Sequence, residues 1–131
     1  MDADPAPPPP ELVLPRRPDL YFGGAWRTAW SGRRTQSRNP GSGALLAEVA
    51  EAGPEDIDAA VAAAQEGFRV WRDVAPLQRA RILRELASRL RRHGPELAML
   101  DAADCGNPVA EMIADAEAGA AQLDFFAGLV T

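Results

Sequence analysis

Pro54-Glu55-Asp56-Ile57-Asp58-Ala59-Ala60-Val61-Ala62-Ala63-Ala64-Gln65-Glu66-Gly67-Phe68-Arg69-Val70-Trp71 is the stretch around which the chain is organised. Apolar side chains at Ile57, Val61, Ala64, Phe68 and Trp71 follow in steps of four and three. Such steps trace one stripe down a helix of about 3.6 residues per turn. Pro54 suits a first helical position, where its missing N–H has no intrahelical partner to lose. Glu55, Asp56 and Asp58 put negative charge at the positive end of the helix dipole. The pattern predicts an amphipathic helix whose greasy face needs something to cover it.

On the C-terminal side, Asp73-Val74-Ala75-Pro76 breaks the chain. A second helix is predicted from Pro76 to His93, with Leu83, Leu86, Ala87 and Leu90 on one face. Gly94-Pro95 is expected to stop it, a left-handed glycine followed by a proline that cannot continue. His93, the only histidine, would then sit in a last turn, where a protonated imidazole suits the dipole. A third helix is expected from Pro95 to Cys105, ended by Gly106-Asn107-Pro108. A fourth begins near Val109, with Met112, Ala116, Ala120, Leu123, Ala127 and Val130 on one stripe that is still running at Thr131.

On the N-terminal side, Gly23-Gly24 between Leu20-Tyr21-Phe22 and Ala25-Trp26-Arg27 predicts a tight hairpin, because both loop positions accept positive φ. Ser31-Gly32 marks a turn and Thr35 to Arg38 a short strand. Asn39-Pro40-Gly41-Ser42-Gly43 is turn chemistry throughout, before an apolar run from Leu45 to Val49. The expectation is an α/β arrangement of three short strands and four amphipathic helices. Gly41-Ser42-Gly43 is no phosphate cradle, since phosphate loops lead into a helix and this one leads into a strand. Residues 1–18, with prolines at 5, 7, 8, 9, 10, 15 and 18, read as a disordered tail. Pro7 to Pro10 could also meet a proline-recognising partner.

All 14 basic side chains are Arg, so no catalytic or phosphate-binding lysine is available in this chain. The net charge of −5 argues against nucleic acid as a general partner. Six Arg between Pro76 and Arg92 oppose seven acids between Glu96 and Asp124, which reads as attraction between packed helices. The other reading of the Arg run, a nucleic-acid-binding helix, lacks an interleaved aromatic to stack on a base. No apolar run approaches the roughly 20 residues that cross a bilayer. An opening of Met1-Asp2-Ala3-Asp4-Pro5 is unlike a signal peptide, so a cytoplasmic location is expected. Cys105 is the only cysteine and stands at the carbonyl end of a predicted helix, the wrong end to activate a thiol. Neither it nor His93 has neighbours spaced for a relay or a zinc site.

Taken in order, these segments resemble the N-terminal quarter of the aldehyde dehydrogenase superfamily. The resemblance is carried by Tyr21-Phe22-Gly23-Gly24-Ala25-Trp26, by Asn39-Pro40-Gly41-Ser42-Gly43 with the following strand, and by Asp56-Ile57-Asp58-Ala59-Ala60-Val61-Ala62-Ala63-Ala64. Arg79-Ala80-Arg81-Ile82-Leu83-Arg84-Glu85-Leu86-Ala87, Asp104-Cys105-Gly106-Asn107-Pro108 and Phe125-Phe126-Ala127-Gly128 complete the series. Asn107 stands where the family usually has Lys, and Phe125-Phe126 where it has two tyrosines.

The resemblance implies an incomplete part of a coenzyme-binding domain belonging to an NAD(P)-dependent enzyme that oxidises an aldehyde to an acid. It implies NAD or NADP as cofactor, a small aldehyde as substrate, and a homo-oligomer when complete. Family chemistry uses a nucleophilic cysteine, a glutamate-activated water and an oxyanion-holding asparagine, all later in the family's chain than these segments. No catalytic or cofactor-binding residue is therefore assigned here, and Cys105 is not that nucleophile. Family members often hold a structural monovalent cation, which by position would use backbone oxygens near Ser37 and Arg38 with the Asp104 carboxylate. Asp104 simply capping its turn is the other reading. The fourth helix flanks the family's substrate entrance, which would make Ala118 a lining residue. Two expectations follow: a chain inert by itself, or a non-catalytic binding or oligomerisation module that docks on a full-length relative or another subunit.

Overall fold

The computed structural model describes residues 11–130. The expected tail at 1–18 lies largely outside them, and 11–18 form no helix or strand. Among the described residues four strands, not three, make two separate antiparallel pairs. Strands β1 (Leu20–Phe22) and β2 (Ala25–Arg27) pair across the glycine loop, with Tyr21 opposite Trp26. Gly23 and Gly24 both take positive φ, 60° and 75°, as a two-residue hairpin loop requires. The Tyr21 and Trp26 rings, with centroids 5.1 Å apart, form an aromatic cross-strand pair. Strands β3 (Arg34–Arg38) and β4 (Leu45–Ala50) pair next, and the register slips at Ser37/Arg38, which leaves Leu46 as an extra residue on β4. The slip falls where β3 runs into the Asn39 turn.

Helix α1 (Pro54–Arg72) starts where predicted. Asp56, only 7 % exposed, anchors that start. Its carboxylate accepts from the Gly53 N–H at 2.9 Å and from the Trp30 N–H at 3.0 and 3.2 Å, tying the loop after β2 to the helix.

Helix α2 (Pro76–Cys105) corrects the expected helix count. The two helices expected on either side of Gly94-Pro95 are one, so the chain has three long helices among the described residues. His93 is therefore mid-helix rather than at a carbonyl end, and its Nδ1 lies 3.2 Å from Glu96 Oε2. Helix α3 (Val109–Leu129) folds back antiparallel along α2, and this packing explains the continuity. Gly94 is buried, and a Cβ built on it would stand 3.4 Å from Ala116 Cβ; one on Gly119 would stand 3.4 Å from Leu90 Cδ2. Proline removes one intrahelical bond and crowds the preceding turn. A glycine placed just before it, pressed on a neighbouring helix, keeps the chain helical because packing outweighs local propensity.

The core is built of small residues. Ala80, Ala87, Ala98, Ala120 and Ala127 are buried, Met112 nearly so, and no large side chain is fully enclosed among the described residues. Arg91 bridges the two helices at 2.8 Å to both Glu117 and Asp124, as the opposed charge runs predicted. Its bonds to Glu117, then to Asp124, raise the guanidinium above its ordinary value. No helix among the described residues is long and apolar enough to cross a membrane.

Candidate functional site

Two turn motifs far apart in sequence meet at the C-terminal end of α2. Helix α2 ends at Gly106, whose φ of 81° is the left-handed conformation that closes a helix. A Cβ on Gly106 would stand 2.8 Å from Pro40 Cγ, so the absence of a side chain lets the Asn39-Pro40 turn press against the helix end. That turn is held locally. Asn39 Oδ1 accepts from the Gly41 and Ser42 N–H groups at 2.9 and 3.0 Å, and the Gly43 N–H donates to the Asn39 carbonyl at 2.8 Å.

This contact brings Ser37 of β3 to Asp104, and the Ser37 hydroxyl donates to the Asp104 carboxylate. The contact is made by the Ser37 side chain, whereas the expected cation would use backbone oxygens near Ser37 and Arg38. Arg38 is adjacent through the backbone, but its guanidinium turns away to the Gly43 carbonyl at 2.9 Å and to Gln36 Oε1 at 2.8 Å.

A cavity of about 430 Å³ opens beside Ser37 and Asp104, walled by Trp26, Leu46, Val49 and Leu100. Asp101 and Asp19 also reach it, and Asp19 is bound to Arg34 at 3.0 Å. Among the described residues, no group of three or more His, Cys, Asp or Glu side chains is placed to hold a metal ion. The Ser37 hydroxyl and the Asp104 carboxylate stand at this spot, and Asp19, Asp101 and Arg17 line the same cavity.

Ala118 lies exposed on α3, next to Glu117 that pairs with Arg91. Farther along α3, Phe125 and Phe126 form an edge-on pair with centroids 5.5 Å apart, both mostly exposed. Cys105, the last residue of α2, is exposed. The clamp made by Asp56 was legible only as helix-start charge, since nothing in the pattern links it to Trp30.

Residues 26–131 match the sequence model of the Aldehyde dehydrogenase family. Aldehyde dehydrogenase tropH of Talaromyces stipitatus is 40% identical over 123 residues, which is 94% of this chain and 24% of that protein. Gamma-glutamyl-gamma-aminobutyraldehyde dehydrogenase from Burkholderia cenocepacia superposes with a TM-score of 0.84 at 33% identity, over 89% of this chain and 24% of that one. PnpE, solved in complex with nicotinamide adenine dinucleotide, superposes with a TM-score of 0.81 at 32% identity, over 86% of this chain and 23% of that one. The chain thus spans about a quarter of the length of the relatives it matches.

Proposed function

The chain belongs to the aldehyde dehydrogenase family, and we propose that it serves as the N-terminal portion of an enzyme that oxidises an aldehyde to a carboxylic acid with NAD or NADP. The observation that carries this reading is the family match over residues 26–131. The superposition on PnpE, which was solved with nicotinamide adenine dinucleotide, supports the choice of cofactor class. The nicotinamide supplies the hydride acceptor when bound.

Within that enzyme, this chain's part is structural. The Asp104 carboxylate and backbone oxygens near Ser37 and Arg38 would hold a monovalent cation of purely structural use, next to the contact between Ser37 and Asp104. Ala118 lines the way to the substrate site from the outer face of α3. Neither His93, paired with Glu96, nor Cys105, at the carbonyl end of α2, takes part in the chemistry. The complete enzyme works in the cytoplasm as a homo-oligomer.

The test is aldehyde-dependent reduction of NAD and NADP, followed by absorbance. The chain of residues 1–131 alone is expected to give no turnover. A chimera in which it replaces the matched segment of the Burkholderia cenocepacia gamma-glutamyl-gamma-aminobutyraldehyde dehydrogenase is expected to oxidise that enzyme's aldehyde. Turnover by the chain alone would refute its structural role, and a folded but inactive chimera would count against the enzyme reading.

A further inference from the structure

The segment ahead of β1 is hydrogen-bonded to the body at one point only. The Pro18 carbonyl accepts from the Ala50 N–H at 2.9 Å and from Arg34 at 3.3 Å, and Asp19 pairs with Arg34 at 3.0 Å. Upstream of that pin the hold ends. Residues 11–17 are all exposed, and none of them makes a hydrogen bond or ion pair with another described residue. Pro15 and Pro18 keep the stretch extended. A proline ring fixes its own φ and drives the residue before it, here Leu14 and Arg17, out of the helical region.

Extended, unbonded backbone is what a serine protease draws into its cleft, and nicking concentrates at such exposed ends. Arg16 and Arg17 stand in this stretch, both exposed and with no partner among the described residues. Arg17 is followed by Pro18, which lacks the N–H of an ordinary leaving amine, so the Arg16–Arg17 bond is the one open to attack. The other arginines are placed differently. Arg33 and Arg34 are tied to Glu51 and Asp19, Arg38 to the Gly43 carbonyl, and Arg27 lies over the Phe22 ring. Those of α1 and α2 lie in helices that must unwind before a protease can hold them.

We propose that the Arg16–Arg17 bond is a processing site for an arginine-specific serine protease, and that cutting it opens the cavity beside Asp104. Hydrolysis adds one water across the bond, leaving a carboxylate on Arg16 and a free amine on Arg17. The departing piece takes with it Leu14 and Pro15, which wall that cavity together with Trp26, Leu100 and Asp104. Leu14 is only 38 % exposed, so its loss uncovers apolar surface there. Every described strand and helix begins after the pin at Pro18, so the fold is kept.

The test is digestion of the chain of residues 1–131 with dilute trypsin, followed by intact mass. The first product is expected to be residues 17–131, formed about tenfold or more faster than any other fragment, since the helical sites must open first. Arg16→Gln should abolish that early product. Far-ultraviolet circular dichroism of the cut chain should match that of the intact one. Trp26 emission should move to longer wavelength on cutting, and Trp26→Phe should remove that shift. A first cut elsewhere, or loss of helix on cutting, overturns the site; an early cut with unmoved emission overturns the opening of the cavity. The chimera with the Burkholderia cenocepacia dehydrogenase, digested in the same way, sets the bond in a full-length subunit, and protection of the bond there overturns the proposal. Neither readout needs aldehyde oxidation, so failure here and failure of the enzymatic reading are told apart.

Discussion

Asp56 shows how much one side chain can carry in a chain with so little core. Its carboxylate accepts from two backbone N–H groups, those of Gly53 and Trp30. Asp56→Ala leaves both donors short of a partner in a mostly dry spot and should cost about 2–3 kcal/mol, read as a lowered midpoint in urea. Asp56→Asn, which keeps an acceptor oxygen, should lose less. Gly106 is the second such residue. Its φ of 81° and the 2.8 Å approach of Pro40 penalise any side chain twice. Gly106→Ala is expected to destabilise by about 1–3 kcal/mol, and adding Pro40→Ala should recover the steric part but not the conformational part. The glycine was visible in sequence as a helix stop, because φ preference is local. Pro40 as its neighbour was not, because the contact joins positions far apart in the chain. The same limit applies to Ser37 and Asp104. Only family resemblance put them at one site, and the fold then brought them into hydrogen-bond contact.

Helix α2 is the element where local signals and packing disagree. Gly94-Pro95 has the composition of a helix end, yet the helix runs on to Cys105. Local chemistry sets the cost of continuing; the neighbouring helix α3 decides whether that cost is met. Pro95→Ala restores the N–H that a helix would direct at the Arg91 carbonyl, and should stabilise the chain by about 1–2 kcal/mol. Gly94→Val should do the opposite, since its branches must push Ala116 aside; denaturant titration of both variants checks the pair. Arg91 links the same two helices through exposed partners, so its contribution should be small and should shrink further as salt is raised. A double-mutant cycle of Arg91→Ala with Glu117→Ala, at low and high salt, measures it. The charge runs announced this attraction in sequence, because opposed charge on two successive helices needs only antiparallel packing to meet.

At the scale of the whole molecule, the balance of covered and open surface is the telling feature. Alanines fill the α2–α3 seam, while Ile57, Phe68, Phe125, Phe126 and Leu129 remain largely exposed. Calorimetry on the chain alone should return a heat capacity of unfolding well below the usual value of about 12–15 cal/mol/K per residue. Dyes that report open apolar surface should bind the folded state. The amphipathic period, the glycine and proline punctuation and the opposed charges determined by themselves where α1 starts, where the hairpins turn, where α2 and α3 end and begin, and which family the chain resembles. These are short-range properties, set by a few dihedrals and a repeat of three and four. The tertiary structure alone decided that α2 passes through Pro95, that Pro40 meets Gly106, that Ser37 meets Asp104, and that the α1 stripe is left open. Each of those depends on what stands opposite a residue in space, and a periodicity says which face is greasy without saying whether anything in the same chain is there to meet it.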